Sequence, residues 1–274
     1  MDNYLIAVDL DDTLLTAEKS ITPKTKAYIR KKAEEGHRFI INTGRPFQGA
    51  VRYLKMLEIH EPMIVNNGGA VVYFDETYSE IVGYHLFPME IDTVVSFHRE
   101  VRPFLINATV TSLFDFYTYD LKKTPFWVLH ESEKVAFREG NIAEMLNTPP
   151  IVSEYYVRER DQAAFEKVLK KETYRDFRIT RWGTFDGIAA YEISAKNANK
   201  GEAMKYLAET LGIPLNHTIA FGDQLNDLPM LNAAGIGVAM CNAGEKVRSQ
   251  CRYVTDEDFN HDGVVGFLEK LFED

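Results

Sequence analysis

Three carboxylates lie within four positions of the stretch YLIAVDLDDTLLT, residues 4–16: Asp9, Asp11 and Asp12, at the end of the apolar run Tyr4 to Val8. Like charges at the end of a buried strand repel one another, so they need a counter-charge or their pKa values must rise. Other polar residues stand in comparable places: Thr43 in INTGR, Lys200 in NANKG, and Asp223, Asn226 and Asp227 in and after TIAFGD. An all-oxygen set with no histidine or cysteine cluster points to a hard cation. Mg2+ comes first, because it is usually held by one or two carboxylates together with substrate phosphate and water. Thr43 and Lys200 then make sense as donors to phosphate oxygens, a task an ionised carboxylate cannot perform. An aspartate can also attack phosphorus and form an aspartyl-phosphate. A second acid, for which Asp11 is well placed, can protonate the leaving alcohol and then deprotonate the attacking water. Each fragment alone is ordinary turn or helix-start chemistry. All of them together, each after a strand or at a helix start, are hard to explain by structure alone.

The elements that must position these residues are legible as a strand–helix alternation. YLIAVDL reads as a strand. A helix follows from Pro23, with Thr22 as N-cap and Gly36 just past its end. RFIINT, the helix PFQGAVRYLKML and the strand MIVNN complete a β-α-β-α-β order, which predicts a parallel sheet with helices on both faces. AVVYF and SEIVGYHL read as a hairpin. From about 85 to 187 the segments are α+β in character, with half-buried strands such as LINATVTS and a helix in DQAAFEKVLKKE. The α/β rhythm then returns through KGEAMKYLAETL, TIAFGD, DLPMLNAA and VVGFLEKLF. The expectation is an α/β protein: a doubly wound, Rossmann-like parallel-sheet core formed by residues 1–84 and 188–274, with an α+β domain, 85–187, inserted into it. In such sheets ligands bind outside the carboxyl ends of the strands, where the four features all fall.

Composition narrows the classes. The chain has 274 residues, 45% hydrophobic and 26% charged, with a formal net charge of −10. That argues against nucleic-acid binding, which calls for a basic stripe. It leaves room for a small anionic substrate, because a bound cation can reverse the field in one cleft. No apolar run reaches the ~18 residues of a membrane helix. The start MDNYLIAVDL has no basic n-region, so a cytoplasmic protein is expected. Cys241 and Cys251 form no disulfide framework or zinc pattern.

Over almost its full length the sequence resembles the haloacid dehalogenase-like (HAD) superfamily of phosphohydrolases, and within it the Cof-type group with a large α/β cap of type IIB. DLDDTL, INTGRP, NKG and GDQLNDLPML resemble the four family motifs. NNGGAVVY resembles the segment before the cap, and VAMCNA and RYVTDEDFNHDGV the C-terminal signature. The resemblance implies a Mg2+-dependent phosphatase acting on monoesters of small metabolites, a sugar phosphate or similar. It implies Asp9 as nucleophile and metal ligand, and Asp11 as acid/base that also gives the metal its backbone carbonyl. Thr43, Gly44 and Lys200 would hold the phosphoryl group. Asp223 would bind the metal, with Asp227 and Asn226 ligating or orienting. Asn67 and Asn242 would touch phosphate or substrate. Asp12 stands where many members have glycine and is expected to cap its loop. Cys241 stands where glycine is common, which questions the local backbone. The block 85–187 would be the cap that selects the substrate, with Tyr117, Trp127, Arg158, Arg181 and Trp182 as conceivable contacts. Two rivals share the chemistry. A phosphomutase would return the phosphoryl group to substrate. A phospho-receiver would store it, but receivers are short single domains without the second acid. Neither the identity of the metabolite nor the oligomeric state is readable.

Overall fold

The structure is a computed structural model describing residues 3–124 and 136–272. It divides into two compact units, Met1–His85 with Asn199–Asp274, and Leu86–Ala198. Trp127 lies outside the described residues.

The first unit begins with β1 (Leu5–Val8), whose four side chains are all buried, as expected of a strand covered on both faces. Helix α1 (Pro23–Glu34) starts as its sequence predicts: the Thr22 hydroxyl accepts from the Thr25 amide at 3.0 Å, and Pro23 stands at the first helical position. Strand β2 (Arg38–Ile41), helix α2 (Phe47–Leu57) and strand β3 (Met63–Val65) follow. Here the structure departs from the expected third parallel strand. β3 pairs antiparallel with β4 (Ala70–Phe74), which neighbours β5 (Ile81–Leu86) in a separate three-stranded sheet. Only an isolated parallel bridge, Asn42 to Ile64, links β3 to β2. MIV is too short a run to settle its partner.

The second unit is a six-stranded sheet with helices α3 (Ile91–Val101), α4 (Ile142–Met145) and α5 (Gln162–Leu169). Its strands are β6 (Leu105–Thr111), β7 (Phe116–Thr118), β8 (Phe137–Glu139), β9 (Val152–Arg158), β10 (Phe177–Phe185) and β11 (Ile188–Ala195), in the order β10-β11-β9-β6-β7-β8. All neighbours pair antiparallel except β7 with β8. One face carries an aromatic core. Phe97 of α3 meets Tyr155, Phe165, Tyr174 and Phe177 edge-on, with centroids 4.9–5.8 Å apart. Strand alternation turns Glu154 and Tyr156 to the opposite face from Tyr155. Strand β11, assigned to the core domain by sequence, belongs to this sheet, so the unit ends at Ala198 instead of 187.

The chain then returns to the first unit with α6 (Lys200–Thr210), β12 (Thr218–Gly222), α7 (Leu228–Ala233), β13 (Ile236–Ala239), α8 (Glu245–Arg248), β14 (Tyr253–Val254) and α9 (Gly263–Phe272). The central sheet is wholly parallel, in the order β14-β13-β12-β1-β2. The α/β doubly wound expectation holds. β1 lies between β2 and β12, so the connections leaving β1 and β12 diverge and open a crevice at their carboxyl ends.

Candidate active site

The crevice is built from strand ends. The Asp9 amide bonds to the Phe221 carbonyl at 3.1 Å, which sets the end of β1 beside the end of β12. The start of α6 is brought in from the other side. Asn199 caps it, accepting from the Gly201 and Glu202 amides at 3.0 Å each. Asn42, following β2, donates to the Lys200 carbonyl at 3.0 Å. Lys200, only 1% exposed, reaches Asp9 Oδ1 at 2.7 Å and Asp227 Oδ1 at 2.5 Å. The other Asp227 oxygen accepts from the Asp223 and Gln224 amides, both at 2.9 Å. Gly222 makes this possible, since a Cβ there would lie 2.5 Å from the Asp227 Cβ and Cγ. Asp223 accepts from the Thr13 hydroxyl at 3.1 Å and the Gln224 side-chain amide at 2.9 Å.

Asp9, Asp223 and Asp227 are all buried, with one carboxylate oxygen of each within 4.8 Å of the others. Burial raises the pKa of Asp9 against the pull of Lys200, and Asp227 and Asp223 add to the rise. Burial, then repulsion from Asp227, pushes Asp223 up to about 7. Lys200 is the reverse case. Burial disfavours its charge, but Asp227 and Asp9 outweigh that and hold it protonated.

Asp11 is placed differently. Its carboxylate turns away from the other three and pairs bidentately with Arg45, Nε to Oδ2 and Nη2 to Oδ1, both at 2.7 Å. Lys19 adds a bond of 2.8 Å. Partial burial would raise its pKa, but the two cations overcome this and hold it at about 2. Asp12 adopts a left-handed conformation, φ 56°. Its backbone carbonyl, rather than its side chain, closes the loop, accepting from Asn242 Nδ2 at 2.9 Å, and its carboxylate faces Lys19 at 3.8 Å. Asn242 is thus engaged by the first loop. Cys241 needs no glycine-only conformation, as it is absent from the positive-φ residues, and its amide bonds to the Thr255 hydroxyl at 3.0 Å.

Thr43 is buried, and its hydroxyl accepts from the Arg45 amide at 3.2 Å. The Thr43 amide bonds to Ile64 and its carbonyl accepts from Asn67, so the loop after β2 lies against the turn after β3. Gly68 lets that turn meet α6, since a Cβ there would stand 2.2 Å from the Asn199 carbonyl. Asn67 accepts from Asn226 Nδ2 at 2.9 Å, and a Cβ on Gly44 would lie 2.9 Å from Asn67 Oδ1. Asn226 Oδ1 is buried with no hydrogen-bond partner among the described residues.

The donor set fits a hard divalent cation. Five carboxylates, Asp9, Asp11, Asp12, Asp223 and Asp227, face three cations, Lys19, Arg45 and Lys200. With all five ionised, two negative charges would be left over among oxygen donors, a state that burial disfavours at Asp9 and Asp223 and that a divalent ion would offset.

A sequence profile of the haloacid dehalogenase-like hydrolases matches residues 6–268, nearly the whole chain. The chain belongs to that family. Among its relatives is the 5-amino-6-(5-phospho-D-ribitylamino)uracil phosphatase YitU of Bacillus subtilis, 28% identical over 98% of this chain and 97% of that protein. A phosphoglycolate phosphatase of Methanopyrus kandleri is likewise 28% identical, over 98% and 97%. A crystal structure of a haloacid dehalogenase-like hydrolase from Bacteroides thetaiotaomicron shares the fold, with a TM-score of 0.81 at 24% identity, covering 99% of this chain and all of that one. This member is an enzyme of the phosphatase class and falls in the Cof-type group.

Within this haloacid dehalogenase-like hydrolase, sequence reasoning gave no role to Arg45, Lys19 and Thr13. Arg45 was visible two residues beyond Thr43 in INTGRP. Nothing in the sequence marks Lys19, whose partner lies eight residues away across a turn. Of the conceivable cap contacts, Tyr117 is fully buried and bonded to Asn147 and Thr148. Arg181 donates to Thr184, and Arg158 lies 3.6 Å from Asp161. Trp182 is exposed.

Proposed function

We propose that this chain is a Mg2+-dependent phosphatase that hydrolyses phosphate monoesters of small metabolites through an aspartyl-phosphate on Asp9. The observation that carries this reading is the buried grouping of Asp9 with Lys200, Asp223 and Asp227 at the mouth of the parallel sheet. Asp9 presents a carboxylate oxygen as nucleophile. Lys200, already bonded to Asp9, is at hand to share the charge of a phosphoryl group transferred there. Thr43 and Gly44 supply further polar contacts from the neighbouring loop, and Asn67 and Asn226 hold one another beside it. Asp9, Asp223 and Asp227, with the Asp11 carbonyl, are the groups proposed to hold Mg2+, which when bound neutralises charge on the phosphoryl oxygens.

Asp11 is the proposed acid/base. Arg45 and Lys19 keep it ionised, the state that deprotonates water in the hydrolytic half of the reaction. Donating a proton to the leaving alcohol in the first half requires those contacts to loosen. Leu86–Ala198 is proposed to select the leaving group. The two named relatives act on esters as unlike as a ribitylaminouracil phosphate and phosphoglycolate, so the phosphoryl group is the shared element.

A panel of phosphorylated metabolites incubated with Mg2+ tests the reading. Free phosphate should appear and should vanish with EDTA, and Asp223→Ala should lose Mg2+ affinity by calorimetry. Isomerised ester in place of phosphate would assign a mutase, and unchanged Mg2+ affinity in Asp223→Ala would remove that residue from the metal site.

A further inference from the structure

The six-stranded sheet of the second unit has a cavity of its own, about 650 Å³, bordered on β9 by Glu154 and Tyr156, which alternate with the core residue Tyr155. That lies in the range of pockets holding small organic ligands, about 300–1,000 Å³. The surface it exposes is almost wholly apolar. Trp182, Phe185, Tyr156 and Ile188 supply walls, and Lys123, Glu154 and Asp186 bring charge to the lining. Two large aromatic side chains are left open to water, Trp182 at 48% and Phe185 at 57% exposure. The backbone holds them out. The pairing of β10 with β11 slips at a bulge between Arg181 and Gly183, and bulges re-aim side chains. Phe185 and Ile188 are then paired across a two-residue turn, Asp186-Gly187, with φ 50° and 74°, the form that fits a tight hairpin.

The polar chemistry is equally specific. Glu154 Oε2 accepts from the Thr109 hydroxyl at 2.9 Å and the Tyr156 hydroxyl at 2.8 Å. Oε1 accepts from nothing among the described residues. Lys123 is tethered to Asp120 at 2.7 Å. Asp186 sits in the exposed hairpin turn at the edge. The cavity therefore offers aromatic faces and one half-buried carboxylate, with Oε2 fixed by two hydroxyls and Oε1 open to a donor. A bare polyol would need many polar partners and finds few here.

We infer that this cavity binds a flat heteroaromatic ring whose N–H donates to Glu154 while its face stacks on Trp182. This binding site belongs to the second unit alone and goes beyond the phosphatase reading.

Lumichrome, a flat tricycle with N–H donors and no phosphate, is a direct probe. It is titrated into the full-length protein in EDTA, with tryptophan fluorescence and calorimetry as readouts. Saturable binding is expected. Trp182→Ala should weaken it about tenfold or more, since stacking and buried apolar area are both lost. The 1,3-dimethyl analogue, which lacks the donors, should bind about tenfold more weakly, the loss expected for a hydrogen bond to a charged acceptor. Trp182 is exposed, so the variant keeps its fold, which a thermal melt checks. No saturable binding, equal affinity in Trp182→Ala, or displacement of the ring by ribitol would overturn the inference. Hydrolysis of acetyl phosphate, which has no ring, tests the phosphatase reading by itself, so the two ideas fail independently.

Discussion

At the scale of single residues, the acids crowded after β1 occupy separate surroundings. Asp9 points into a buried group with Lys200, while Asp11, two residues on, faces Arg45 and Lys19. Asp9→Asn should therefore form no phosphoenzyme with any ester, by trapping with labelled substrate. Asp11→Asn should cut turnover by about 10²–10⁴-fold for alkyl phosphates, the usual contribution of a general acid–base group. With p-nitrophenyl phosphate the same variant should release a rapid burst of nitrophenol and then turn over slowly, because only breakdown still needs its base. Parent-like turnover would remove Asp11 from the chemistry. Lys200 carries the structural side of the same site. Lys200→Met leaves the buried Asp9 and Asp227 carboxylates without their cation, a change that costs about 3–5 kcal/mol when one partner of a buried pair is removed. Urea unfolding in EDTA measures this. An unchanged midpoint would mean that the acids take up protons instead. Asp9, Lys200, Asp223 and Asp227 were legible in the sequence because each sits at a strand end or helix start. Arg45 and Lys19 were not assigned, since a cation's partner depends on how a loop folds back.

At the scale of elements, the site depends on close approaches that only small residues allow. Gly222 ends β12 and leaves room for Asp227 to turn back onto the amides of 223 and 224. Gly222→Ala should cost about 1–3 kcal/mol through overpacking and, more diagnostically, lower Mg2+ affinity by calorimetry. Gly266→Ala is the contrast. It lies within α9 with nothing inside 4 Å of a new Cβ, and alanine there should raise stability by about 1 kcal/mol. Helix starts were readable from Thr22 and Pro23 and from Lys200 at the head of KGEAMKYLAETL, whereas the cap Asn199 was not singled out. Partners joined by a short turn were readable, as AVVYF with SEIVGYHL and FRITRWGTF with GIAAYEIS, but distant partners were not. GIAAYEIS is an apolar run that suits either sheet, and its neighbour β9 lies more than a turn away in sequence. The short MIV likewise gave no sign that it would join an antiparallel sheet.

At the scale of the whole molecule, the two-unit plan was legible from the change of rhythm near residue 85, although the return point was not. The second unit also holds a pH-sensitive group in its core. His98 is fully buried between the Tyr119 and Tyr155 hydroxyls, each 3.0 Å from a ring nitrogen. Burial, helped by Arg102, lowers its pKa from 6.5 to about 3. The unfolded chain thus takes up a proton below about pH 6.5 that the folded chain refuses. Its contribution to stability is intact above that pH and declines toward about 3, by at most about 1.4 kcal/mol per pH unit. His98→Gln should flatten this part of the profile, measured as the difference in urea midpoints at pH 7 and pH 5 between parent and variant.

The central strand of the catalytic unit has a consequence for how the chain is made. β1 leaves the ribosome before the inserted unit does, yet its partner β12 begins at Thr218. The inserted unit, by contrast, is one uninterrupted stretch, Leu86–Ala198. During synthesis the inserted unit can close as soon as it emerges, while the apolar strand LIAV must wait on one side for most of the chain. Stalled nascent chains long enough for Ala198, but not Thr218, to have left the ribosome should therefore show a protease-resistant core from Leu86–Ala198 and a sensitive first segment. Protection of β1 at that stage would show that β2 alone suffices to shelter it.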